Sequence, residues 1–222
     1  MLEAVIFDMD GVIVDTEPGY FKAVNLFLAR YGKSIDPEFN EQFFGGSAYD
    51  MWEATKEHVG LTYLTVEECL QGMQEEREKM IRREGYQPIP GTIPLIRKLY
   101  EKGIPLAVAS SSSRKEIEKV TAYLDVRKYF QDVVSGIDEC EHAKPYPDVF
   151  LKAAEKLAVS PENCLVIEDS NNGALAASRA GMKVIGFRNL ACGNQALEAA
   201  DHVVTNMEDV DYELCQKVGN RP

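Results

Sequence analysis

Residues 3–17 read Glu3-Ala-Val-Ile-Phe-Asp8-Met-Asp10-Gly11-Val-Ile-Val-Asp-Thr-Glu17, and this stretch decides the fold. Its first half is apolar without alternation and stops at a carboxylate. A strand covered on only one face would alternate; an unbroken run suits a strand buried on both faces of a parallel sheet. The same texture returns at 105–110 (PLAVAS), 132–135 (DVVS), 164–169 (CLVIED) and 183–187 (KVIGF). Helical patterns lie between, at 92–101, 114–123, 147–157 and 171–180. Ser113-x-x-Glu116 reads as a capping box, Pro147 as a first-turn proline and Gly181 as a left-handed helix stop. Strand and helix in alternation predict an α/β protein with a doubly wound parallel sheet.

Between Thr16 and Arg83 the rhythm breaks. No strand run occurs there, and the apolar spacing predicts helices at 17–31, 36–43, 48–58 and 66–83. Gly85-Tyr-Gln-Pro-Ile-Pro-Gly91 then reads as a return linker. The expected organisation is a core domain of residues 1–15 and 84–222 and an all-helical cap domain of residues 16–83, inserted after the first strand.

The chain has 222 residues, 45% of them apolar, enough to bury a core without a disulfide or metal staple. Its 24 basic and 36 acidic residues give a formal charge of −12. Nucleic acid and anionic membrane both need a basic footprint, so neither is expected as a partner. No apolar run approaches a membrane span, and Met1-Leu-Glu-Ala4 lacks the pattern of a signal peptide. The cysteines (Cys69, Cys140, Cys164, Cys192, Cys215) are odd in number and widely spaced, which predicts reduced thiols in a cytoplasmic protein.

In open α/β sheets ligands bind outside the carboxyl ends of the strands. Asp8, Ser110, Glu168 and Asp169 all stand at such ends, and Lys144 lies in the connection before a helix. Converging, they form a crevice of carboxylates with one hydroxyl and one ammonium. Crowded carboxylates stay ionised only with a cation among them, and hard oxygens select Mg²⁺. The set therefore suits metal-assisted phosphoryl transfer, with one carboxylate attacking phosphorus and a second, two residues on, moving the proton.

FDMDGVIVDTE (7–17), Ser110 after LAVA, AKPYPDVF (143–150) and VIEDSNNGALAA (166–177) together resemble, in order, the four motifs of the haloacid dehalogenase superfamily. The likeness runs over essentially the whole chain and points to the branch of β-phosphoglucomutases and small sugar-phosphate phosphatases. It implies a Rossmann-like core with an inserted cap. It also implies Asp8 as nucleophile and Asp10 as general acid/base. Ser110 and Lys144, with Ser111 beside them, are implied to hold the transferring phosphoryl group. Mg²⁺ is implied on Asp8, the Asp10 backbone carbonyl and Asp169, with Glu168 as a ligand or outer partner.

Three readings compete, two within that resemblance and one from another class. A mutase carries a His shortly after the D-x-D pair and cations in a cap loop; here the places hold Tyr20 and Phe43-Phe44-Gly45-Gly46-Ser47-Ala48-Tyr49. A phospho-receiver module without turnover is about half this length and lacks a helical cap, and an intact Asp10, which drives hydrolysis, disfavours it. The expectation is a Mg²⁺-dependent phosphatase, a monomer, acting on a small phosphorylated metabolite such as a sugar phosphate. Tyr20, Phe44, Gly45 and Tyr49 are its candidate cap contacts. The aromatics Phe43, Phe44, Tyr49 and Trp52, at helix-like spacing, either line a pocket or complete the core of the insert.

Overall fold

The computed structural model describes residues 1–15, 17–43, 47–189 and 196–221. The chain divides into two compact units: residues 1–15 with 86–222, and residues 16–85.

The first unit is a six-stranded, all-parallel sheet in the order β3-β2-β1-β4-β5-β6. Its strands are β1 (Ala4–Phe7), β2 (Leu106–Ser110), β3 (Asp132–Ser135), β4 (Cys164–Glu168), β5 (Lys183–Phe187) and β6 (His202–Val204). Every residue of β1, β2 and β4 is buried, which is why these runs show no alternation. Ala4 and Ile6 of β1 and Ala107 and Ala109 of β2 share one cluster with α8 (Asp148–Leu157) and α9 (Asn171–Arg179). Phe7 lies edge-on to Phe130 at 6.0 Å. The unit also contains α5 (Thr92–Glu101), α6 (Arg114–Tyr123), the short α7 (Gly136–Glu139) and α10 (Tyr212–Gly219).

Helix starts follow local chemistry. Ser113 and Ser170 accept from backbone N–H groups three residues on, as N-caps do. Gly181, at φ +77°, takes the left-handed conformation that follows α9. Two expectations are corrected in detail. Pro147 is the N-cap of α8, one place ahead of its first helical residue, and its carbonyl accepts the first-turn bond from the Leu151 N–H at 3.0 Å. Glu116 does not reach back to complete a capping box at Ser113: its Oε1 accepts the Tyr86 hydroxyl at 2.7 Å.

The second unit holds α1 (Glu17–Ala29), α2 (Pro37–Glu41), α3 (Ala48–Val59) and α4 (Val66–Glu84) and, among its described residues, no strand. Thr65 and Glu68 form a reciprocal capping box at the start of α4. Phe27 of α1 is the centre of the packing. Its ring lies edge-on to Trp52 at 5.5 Å and fills the place of a side chain at Gly72, where a Cβ would sit 2.1 Å from it. Trp52 is fully buried here and is core, not pocket. Tyr20 and Phe43 pack against the same cluster, and Tyr49 is half-exposed. Phe44 and Gly45 lie outside the described residues. No helix among the described residues is long and apolar enough to cross a membrane.

Candidate active site

The strand order reverses direction at β1, between β2 and β4, so the loops after these strands diverge and leave a crevice at their carboxyl ends. Asp8 follows β1 directly, and its N–H donates to Ile167 of β4 at 3.0 Å. The chain then turns sharply. Gly11, at φ +81°, donates to the Val14 carbonyl at 2.8 Å, which folds Asp10 back beside the strand end. Gly11 also has a packing reason: a Cβ there would meet Asp169 Oδ2 at 1.9 Å.

Lys144 joins the carboxylates. Its Nζ donates to Asp8 Oδ1 at 2.6 Å and to Glu168 Oε2 at 2.7 Å, and it sits 4.8 Å from the centre of the Phe150 ring. Glu168 is held at both oxygens, because Oε1 accepts from the Asp169 and Ser170 N–H groups and the Ser170 hydroxyl at 2.9–3.1 Å. Gly173 makes room for it; a Cβ at that position would meet Glu168 Oε2 at 1.9 Å. On the other side of Asp8, Asp10 Oδ2 accepts from Ser112 Oγ at 2.9 Å and from Ser110 Oγ at 3.3 Å.

Asp8, Glu168 and Asp169 are buried and offer carboxylate oxygens within 4.8 Å of one another. At an effective dielectric near 20, each such like-charge pair costs about 3 kcal/mol. Burial, and then repulsion from Glu168, push the Asp8 and Asp169 carboxyls well above their usual range, although Lys144 opposes this. For Lys144, burial disfavours the charge, but Asp8 and Glu168 outweigh it and hold the ammonium above the usual lysine range. With all three carboxylates ionised, the one ammonium leaves two negative charges unbalanced among buried groups. Hard oxygen donors and that charge deficit fit one divalent cation.

The structure thus brings Asp8, Asp10, Ser110, Lys144, Glu168 and Asp169 together from four separate segments. Ser111 is exposed, and the neighbouring hydroxyl that reaches Asp10 belongs to Ser112, which the sequence reading passed over. The only hint was its place in the run Ser110–Ser113. No histidine is bonded to this cluster: His58 stacks on Phe39 at 4.2 Å, His142 pairs with Asp148 at 3.2 Å, and His202 opens β6.

Comparison with known proteins gives the family. The profile of the haloacid dehalogenase-like hydrolases matches residues 2–181. The chain is 33% identical over 218 residues to the phosphorylated carbohydrates phosphatase of Thermotoga maritima, covering 94% of this chain and 96% of that protein. It is 32% identical over 212 residues, 94% of its length, to a bifunctional riboflavin kinase/FMN phosphatase of Arabidopsis thaliana, but spans only 54% of that protein. Among solved structures, a putative β-phosphoglucomutase from Thermotoga maritima superposes with a TM-score of 0.80 at 32% identity, over 93% of this chain and 95% of that one.

Proposed function

The chain belongs to the haloacid dehalogenase-like hydrolases and is a phosphoric monoester hydrolase, and from that premise we propose that it hydrolyses a small sugar phosphate or similar metabolite through an aspartyl phosphate on Asp8. The observation that carries the proposal is the Lys144 ammonium bridging Asp8 and Glu168, with Asp10 two residues beyond Asp8.

Asp8 is the nucleophile in this reading. Lys144 and Ser110 take the equatorial oxygens of the phosphoryl group and align it with the Asp8 carboxylate. Asp10 gives a proton to the departing alkoxide, then removes one from the water that attacks the acyl phosphate. Asp8 and Asp169, with the Asp10 carbonyl, would hold Mg²⁺, whose chemistry is to neutralise charge on the phosphoryl oxygens. Glu168 keeps Lys144 in place. The part of a cap for the helical unit, and of Tyr20 and Tyr49 as contacts to the leaving group, belongs to the same proposal.

One observation favours a second reading, a phosphomutase: the likeness to a putative β-phosphoglucomutase. Against it stand Tyr20 where the mutases carry His, and a 43–49 segment without a cation. The test is phosphate release from a panel of sugar and polyol phosphates with Mg²⁺, run beside β-glucose 1-phosphate with a trace of the 1,6-bisphosphate. Phosphate release outrunning isomerisation supports the phosphatase; the reverse supports the mutase. Asp8→Asn retaining more than about 1% of wild-type turnover removes Asp8 from the nucleophile role.

A further inference from the structure

Asp10 has the most demanding task in the proposed reaction, since one carboxyl must meet first the leaving oxygen and then water. What holds it is not on its own strand. Ser112 Oγ donates to Asp10 Oδ2 at 2.9 Å across 102 residues of sequence, and Ser110 Oγ reaches the same oxygen at the longer distance of 3.3 Å. Asp10 Oδ1 accepts no hydrogen bond from the described residues. One oxygen is tethered and the other presented.

The Ser112 tether is itself anchored. The Ser112 N–H donates to Ser110 Oγ at 3.0 Å, and its carbonyl accepts from Ser135 Oγ at 2.8 Å. Ser135 is fully buried at the end of β3, and its N–H donates to Glu139 Oε1 at 3.1 Å. Gly136 lets the end of β3 approach, since a Cβ there would sit 3.3 Å from the Ser110 carbonyl. Downstream, the Arg114 N–H donates to Asp138 Oδ2 at 2.7 Å, and the Arg114 guanidinium is gripped by Asp132, Glu139 and the Val133 carbonyl. The loop 110–114 is therefore bound at three points to β3 and α7. Such a frame fixes the direction of the Ser112 hydroxyl.

From this geometry we infer that Ser112 is a positioning residue for the acid/base carboxylate: it holds Asp10 by Oδ2 so that Oδ1 faces the leaving group. The inference rests on the reading of Asp10 as general acid. Proton donation matters more the more basic the leaving oxygen. Loss of the tether should therefore act selectively, harming poor leaving groups and sparing good ones. A substrate contact or a general loosening of the site would harm all alike.

The test uses kcat/KM, which reports the steps up to transfer onto the nucleophile, for a series of aryl phosphates from 4-nitrophenyl to 4-methoxyphenyl phosphate with Mg²⁺. Wild type, Ser112→Ala, Ser112→Thr and Asp10→Asn are compared. Ser112→Ala is expected to lose about tenfold with the most basic phenol and less than about twofold with 4-nitrophenol. Ser112→Thr, which keeps a hydroxyl, should regain most of it, with no change in melting temperature for either. An equal loss across the series in Ser112→Ala, while Asp10→Asn shows the graded loss, overturns the inference and leaves the acid/base reading intact. A flat response in both variants overturns the acid/base reading and the inference with it.

Discussion

Lys144 Nζ stands 2.6 Å from Asp8 Oδ1, so residues 136 apart in sequence share one buried ion pair at the end of the central strand. The lysine is the only side-chain cation bonded to the cluster among the described residues. Lys144→Met would leave Asp8 and Glu168 buried without a counter-charge, which costs about 3–5 kcal/mol. The melting temperature without metal should fall on the order of 10 °C, and phosphate release should drop at least on the order of a hundredfold. Thermal melts with EDTA check the first part; an unchanged melting temperature would mean that the pair is not what balances the cluster.

Glycine inside a helix normally weakens it, and Ala in its place helps by about 1 kcal/mol. At Gly173, in the first turn of α9, the sign should invert, because the new methyl would occupy the place of the Glu168 carboxylate. Gly173→Ala should destabilise by about 1–3 kcal/mol through overpacking and lower activity through Lys144. Gly19 in α1, with open space around it, is the control, and Gly19→Ala should be neutral or stabilising. Chemical denaturation of both variants measures the contrast.

A cation that binds the folded site and not the unfolded chain raises stability by mass action. Mg²⁺ should therefore raise the melting temperature of the wild type, and EDTA should abolish phosphate release. Asp169→Asn should erase the Mg²⁺-dependent rise, yet melt higher than wild type without metal, since one repelling charge is gone. Calorimetry with and without Mg²⁺ reads both effects, and a Mg²⁺ response that survives in Asp169→Asn would move the site elsewhere.

Behind the serine loop, Asp132 and Glu139 face Arg114 and Lys156. Burial is the largest single influence and raises both carboxyls, but for Asp132 the Arg114 donation, the Val133 N–H and Lys156 together outweigh it, and for Glu139 the bonds from Lys156, the Ser135 N–H and Arg114 together do so; both end below their usual range. A carboxyl depressed in the folded state contributes stability above its unfolded pKa, and loses it as pH falls through the folded value. Wild type should exceed Glu139→Gln by about 1 kcal/mol at neutral pH, and the gap should close below about pH 4. Urea unfolding across that range measures it; a gap independent of pH would assign the effect to packing.

Much of this was legible in the chain because burial on both faces writes unbroken apolar runs, and β1 to β5 are such runs. β6 is not legible in the sequence: its three residues lie at the sheet edge, and His202 and Val203 are only half-buried, so the run carries too little pattern. Neither α10, which follows it, nor the four-residue α7 is among the helices the sequence predicts. The convergence of Asp8, Asp10, Ser110, Lys144, Glu168 and Asp169 was legible because each lies at or just past a strand end or in a short connection, whereas Ser111, expected beside them, is exposed. The hold of Ser112 on Asp10 was not legible, because it depends on how two loops meet in space. The same holds for Glu116, whose carboxylate met Tyr86 in preference to its own helix end.

In the proposed reaction the phosphoryl group passes through Asp8 in two displacements. An in-line displacement inverts configuration at phosphorus, and two in succession restore it. The most direct measurement is the stereochemistry of hydrolysis of a phosphate monoester made chiral with oxygen isotopes and sulfur, with Mg²⁺ and the wild-type protein. The geometry around Asp8 and Lys144 predicts retention. Inversion would mean that water attacks the ester directly, and that Asp8 is not the nucleophile.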